Sequence, residues 1–216
     1  TGNGSPGTIY YESVTSPNGH MIIDARGTNA PTRATPLLSV GGSVSTELRR
    51  SLLTDTNAAL PPGGLVGMRL KPDAGRPESF LILSNTADTI FTDAADGDMT
   101  GSAAVGTRYS VTPTVGRLTI RGGAIVELVD ADASLADRRG SFRATSAEIL
   151  GNSVLTHPTG TGNVQFGLEL VADEVLTVDT TSRVDVSEAG YSGALRAENP
   201  TQSGKTAGND TLLGST

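Results

Sequence analysis

A chain of 216 residues with a formal charge of -7 is long enough for one domain with a continuous apolar core, or for one domain carrying a small insertion. The pI near 4.8 excludes partners that need a basic surface, nucleic acid first among them. It also argues against an anionic membrane surface. With no Cys at all, the chain can have no disulfide framework, thiolate metal site or cysteine nucleophile.

The 27 Gly, 11 Pro and 4% aromatic content point to many short strands joined by turns rather than to helices. Lys and Arg are scattered apart from the pairs Arg49-Arg50 and Arg138-Arg139, which read as solvated. No apolar run reaches transmembrane length, so membrane insertion is not expected. The opening Thr1-Gly2-Asn3-Gly4-Ser5-Pro6-Gly7 reads as loop without a starting Met or leader, which suits a processed or excised piece of a longer protein.

In chain order, Thr8–Tyr11 and His20–Asp24 read as strands separated by the turn Ser16-Pro17-Asn18-Gly19. From about Val40 to Val111 the spacers lengthen. Strands are expected at Leu52–Asp55, at Leu65–Leu70 after the Pro61-Pro62-Gly63-Gly64 break, and at Thr107–Val111. A hairpin over Phe80–Phe91 turns at Asn85-Thr86-Ala87-Asp88, and five or so such strands predict a small barrel or sandwich.

Gly116 to Gly193 is the most regular stretch. Its apolar runs are Arg117–Ile120, Ala124–Val129, Phe142–Thr145, Val154–His157, Val164–Leu170, Val175–Val178 and Val184–Val186. Strands every 8–12 residues, roughly, suit a sandwich or a solenoid. Strands of three to five residues favour the solenoid, with three making one coil of about 20–25 residues. No Asn-Gly or Asp-Gly hairpin joins neighbouring runs, so their partners are expected in the coils above and below. Ala194–Thr216 is polar and reads as an extended arm or linker.

Three phrases carry a family resemblance: Gly4–Tyr11, Arg117–Ala124 and Arg183–Gly193. They resemble segments of very large secreted or cell-surface bacterial proteins in which parallel β-helix units repeat. The middle piece, from Leu65-Val66-Gly67 through Ile82–Ala87 to Ala104–Tyr109, is similar to a small β-module inserted in such proteins and in phage-tail-like β-helices. The resemblance implies architecture, an extracellular or surface location, and adhesion or scaffolding. It brings no catalytic residues. After the Gly-Tyr-x-Gly phrase such proteins often continue into Gly-Gly-Ser-Gly tracts, whereas this chain has Ala194-Leu195-Arg196-Ala197-Glu198.

Few residues suggest chemistry. His20 and His157 are the only histidines, and no Gly-x-Ser-x-Gly elbow precedes either. Asp93, Asp96 and Asp98 could gather carboxylates for calcium, but their spacing departs from the calcium-loop pattern and fits an Asp-Gly turn better. Asp130, Asp132, Asp137, Asp173, Glu174, Asp179 and Asp185 could line one solenoid face, the arrangement polysaccharide-cleaving β-helices use, yet they alternate with Val and Leu as solvent-facing positions do. Lys205, one of two lysines, lies in the polar tail with no sign of the buried acid an isopeptide bond would need.

The expectation is therefore an all-β protein: a right-handed parallel β-helix over residues 1–39 and 113–193, interrupted by a small antiparallel barrel or sandwich at 40–112, with an arm at 194–216. No catalytic residue, cofactor or metal ligand is assigned. A solenoid without capping helices exposes strand edges, so head-to-tail stacking of copies in a filament or stalk is the expected partnership. Surface glycans are the second class of partner, and a carbohydrate-binding or polysaccharide-cleaving β-helix protein is the alternative function.

Overall fold

In the computed structural model the described residues are 7–13, 16–27, 34–40, 43–130, 137–160, 165–187, 203–205 and 211–213. The protein is all-β and divides into two compact units, one of Thr1–Leu38 with Val115–Thr216 and one of Ser39–Thr114. Strands β1 (Gly7–Ser13), β2 (Ser16–Asp24) and β3 (Thr35–Ser39) come first. The second unit carries β4 (Glu47–Arg49), β5 (Leu52–Thr54), β6 (Arg69–Lys71), β7 (Phe80–Asn85), β8 (Thr89–Thr92) and β9 (Ser110–Thr112). Then follow β10 (Thr114–Arg121), β11 (Ile125–Asp130), β12 (Asp137–Ile149), β13 (Val154–Thr156), β14 (Gln165–Val178), β15 (Arg183–Val184), β16 (Ser203–Lys205) and β17 (Thr211–Leu213).

The first unit has two main sheets. One is ordered β1-β2-β10-β12-β14 and the other β15-β13-β11-β3, so from β10 to β15 successive strands alternate between them. The pairs β2/β10, β12/β14, β11/β13 and β13/β15 are parallel. Ile125 pairs with Val154 and Val154 with Arg183, each 29 positions further on (154 − 125 and 183 − 154). Leu150 N–H donates to the Ile120 carbonyl (2.8 Å) just as Asp179 N–H donates to that of Ile149 (3.1 Å), which sets Ile149 beside Ile120.

With the printed registers this produces columns across the first sheet. Ile23, Ile120, Ile149 and Val178 form one, and Met21, Leu118, Ala147 and Leu176 the next. Alternation puts these columns inward while Arg117, Thr119 and Arg121 point outward. All members of these columns except Leu176 and Val178 join Leu37, Val126, Leu128, Phe142 and Leu155 in one apolar core, with Met21 packed against it. Each fully buried side chain of this size stabilises by about 1.5–3 kcal/mol. Arg26-Gly27, Gly122-Gly123 and Gly151-Asn152, all at positive φ, turn the chain from one sheet toward the other. They stack, with Gly27 N–H donating to the Gly122 carbonyl and Gly123 N–H to that of Gly151.

Several expectations change here. β1 is no coil strand, because it pairs antiparallel with β2, Tyr10 facing Met21 and Tyr11 facing His20. The turn expected at Ser16–Gly19 lies inside β2, where Asn18 and Gly19 form a left-handed bulge. Strands β10, β11, β12 and β14 are also longer than the expected three to five residues, whereas β3 and β13 have that length. Phe142–Thr145 belongs to the thirteen-residue β12, and of the run expected at Val164–Leu170 the described part, from Gln165 on, merges with Val175–Val178 into the fourteen-residue β14, since Ala172–Val175 is only a bulge opposite Ala144–Ser146. Polar residues in these strands are outward positions rather than breaks. The terminal segment contains β16 paired antiparallel with β17 in place of an unbroken arm.

The second unit is a curled antiparallel sheet, ordered β4-β5-β8-β7-β6-β9. Val40 and Val44 bridge to Val111 and Arg108 beside β9, and the same segment then runs into β4 at the other edge. Leu53, Leu65, Leu70, Phe80, Ile82, Ile90, Met99, Tyr109 and Val111 fill the concave side. Leu65–Leu70 supplies only the start of β6, because Gly63 and Gly67 hold left-handed turns ahead of Arg69. The strand expected at Thr107–Val111 is Ser110–Thr112, and Glu47–Arg49 forms a further strand, β4, ahead of the expected one at Leu52.

Candidate functional site

The largest polar constellation in the first unit lies on the outward face of the β1–β14 sheet. Tyr11 Oη is 2.7 Å from His20 Nδ1, and His20 Nε2 is 2.9 Å from Thr119 Oγ1. Thr119 Oγ1 donates to Glu148 Oε2 (3.3 Å), and Arg117 grips both oxygens of the same carboxylate at 2.8 and 2.7 Å. A hydroxyl has one proton. Because Thr119 gives it to Glu148, it accepts from His20 Nε2–H, which leaves Nδ1 to accept from Tyr11; the neutral Nε2–H tautomer follows from these directions. Burial holds His20 below the usual histidine range, the charge of Arg117 adds to this, Glu148 opposes it and Arg121 adds a little more.

Chemically the cluster is a clamp across four strands, β1, β2, β10 and β12. Thr119 is only 5% exposed, and its hydroxyl is engaged by both His20 and Glu148. Two ion pairs flank the clamp on the same face: Arg121 with Asp24 at 2.9 Å, and Arg143 with Asp173 at 2.5 Å. Cross-strand pairs of this kind stabilise a sheet by about 0.2–1 kcal/mol each.

The other acids proposed for this face do not converge. Asp179 closes the turn into β15, its carboxylate accepting from Gly151 N–H (2.6 Å), Thr181 N–H and Ser182 N–H, and these donors depress its pKa strongly. Asp185 accepts from Arg183 and from Ser187 N–H, which lower it to about 2. Asp132 and the side chains of Asp137, Arg138 and Lys205 lie outside the described residues. His157 is buried, with Nδ1 2.9 Å from the Pro158 carbonyl oxygen.

In the second unit the three candidate calcium ligands serve local structure. Asp93 and Asp98 cap the short 3-10 turns Ala94–Asp96 and Met99–Gly101, accepting from Ala95 N–H and Thr100 N–H (both 2.9 Å). Asp96 accepts from Leu81 N–H (2.6 Å) and pairs with Arg69 (3.1 Å). Among the described residues no three His, Asp or Glu gather as metal ligands would. Sequence reasoning missed two buried polar groups here. Tyr109 donates to Asp55 Oδ2 (3.0 Å), and burial, then that carboxylate, raise the phenol. Asn85 accepts from Leu65 N–H and donates to the Pro61 and Thr86 carbonyls.

A different kind of feature lies at the β14 end of the first unit. Leu176, Val178 and Val184 stand in register with Ala147, Ile149 and Leu155, all 0% exposed, yet are themselves 46%, 40% and 43% exposed. These are apolar positions that continue core columns yet stand nearly half exposed. At the opposite end Tyr10 leans over the bulge, its ring 2.6 Å from where a Cβ on Gly19 would lie, and its hydroxyl donates to Glu12, which with burial pushes it up to about 12.

Compared with protein-family models, with curated proteins and with solved structures, the chain matches none.

Proposed function

We propose that the first unit is a stack of parallel β-helix coils, interrupted by the curled antiparallel module, and that the protein is an extracellular structural or adhesive element of a bacterial surface that assembles through its ends. Strands that alternate between two sheets at a near-constant interval of 28 or 29 residues support the solenoid reading. The surface location rests on the resemblance of Gly4–Tyr11, Arg117–Ala124 and Arg183–Gly193 to secreted repeat proteins.

One observation carries the assembly reading: Leu176, Val178 and Val184 occupy core columns and are nearly half exposed. At about 25 cal/mol per Å² of apolar surface, covering them on association is favourable, and the edge of β14 offers backbone groups for the same partner. Light scattering of the purified chain over a wide concentration range tests this. Mass rising with concentration is expected; a monomer mass throughout would overturn it.

A further inference from the structure

We infer that the junction between copies is polar and antiparallel, with β14 of one copy pairing with β1 of the next in the register that sets Thr177 opposite Ile9. This rests on the assembly reading above and says which strands meet. β1 and β14 are the two ends of one five-stranded sheet, so among the described residues each has an edge that no further strand of that sheet covers.

Direction and register follow from the columns. β2 and β10 run together, as do β12 and β14, and the donation from Leu150 to Ile120 matches the parallel ladder's own pattern. β1 alone runs against them. Stacking a second copy by continuing the sheet therefore brings an antiparallel strand onto β14. Within one copy Tyr10 faces Met21 and Thr8 faces Ile23, and those columns end at Leu176 and Val178. Continuing them sets Tyr10 opposite Leu176, Thr8 opposite Val178, Ile9 opposite Thr177 and Tyr11 opposite Val175, one consistent antiparallel register.

Side-chain chemistry fits. Ile9, Tyr10 and Tyr11 are 54%, 49% and 47% exposed, and in this register Tyr10 covers inward-facing Leu176 while Tyr11 meets outward-facing Val175. Charge selects against the rival junction of two β14 edges. β14 carries three acids and no base, of which Asp173 is paired with Arg143, so two β14 edges would bring acidic strands together, whereas β1 carries a single acid, Glu12. A contact between two different surfaces leaves a free β1 edge and a free β14 edge at the ends of each pair, so it adds further copies, growing as a filament unless the rotation between copies closes a ring.

The absence of Cys makes the test clean. A full-length chain with both Ile9→Cys and Thr177→Cys is mildly oxidised and run without reductant. The expected result is a ladder of three and more linked copies, since directly opposed residues lie within disulfide reach, about 4.5–5.5 Å between Cα atoms. Each single variant alone should give no ladder, and the two mixed should give linked pairs only. Efficient self-linking of Thr177→Cys alone would overturn the polar junction. So would mass growth in light scattering with no Ile9–Thr177 link, which leaves self-assembly standing. A chain that stays monomeric in light scattering overturns both.

Discussion

Gly140 sits in β12 where that strand crosses the backbone of Leu128 and Val129, and a Cβ there would fall inside the van der Waals radius of both. The obstacle is main chain, which cannot swing aside as a side-chain tip can. Gly140→Ala is therefore expected to destabilise the first unit by about 1–3 kcal/mol, as overpacking does, seen as a lower urea midpoint; an unchanged midpoint would refute the close crossing. In the second unit Tyr109→Phe should cost about 1–3 kcal/mol, because it strips the buried Asp55 of a donor while changing little volume. Tyr109→Phe with Asp55→Leu should recover part of that loss, since both polar partners are then gone. Neither residue announced itself in the sequence, because a glycine or a tyrosine shows its reason only when the atoms it meets are known.

At the scale of elements, the clamp that joins β1 to β12 makes a pH signature. Burial, and the nearby arginines, lower His20 from 6.5 in the folded chain. Below pH 6.5 the unfolded chain then binds the proton more readily, so stability rises with pH across this window and is lost as pH falls through it. The charged neighbours on β10 and β12 are Arg117, Arg121 and Glu148. His20→Gln keeps hydrogen-bonding capacity and should flatten the melting temperature between pH 7 and the folded-state value. A variant that melts with the same slope would remove His20 from the account. A second loss of stability is expected below pH 3.8. There Asp24, Asp88, Asp98, Asp179 and Asp185, all depressed in the folded chain, take up protons more readily when unfolded. The hairpin turn of the second unit and most of its short strands were legible as apolar runs between turn residues. The lengths of β12 and β14 were not, since a long strand with one polar face and a bulge reads as two short apolar runs.

For the whole molecule, a net charge of -7 means that association works against repulsion between copies. Raising the ionic strength above about 0.1 M shortens the screening length below about 10 Å, so assembly through the apolar ends should strengthen with salt. Light scattering at fixed concentration reads this directly. Assembly that weakens with salt would point to ion pairs at the junction in place of Leu176, Val178 and Tyr10. Of the ten acids singled out in the sequence, six (Asp93, Asp96, Asp98, Asp173, Asp179 and Asp185) are each held by a neighbouring arginine, a turn or a cap.

The sequence by itself determined the all-β character, through its turn-rich composition and short apolar runs, and it excluded thiol chemistry through the lack of Cys. Alternation and turn propensity are local properties, and a single chain displays them without being folded. Only the tertiary structure decided that β1 runs antiparallel, that β12 and β14 pair at twelve positions, and that Leu176, Val178 and Val184 continue core columns while nearly half exposed. Those are facts about which strands pair and in which direction, and an apolar residue looks the same in sequence whether its column continues or ends.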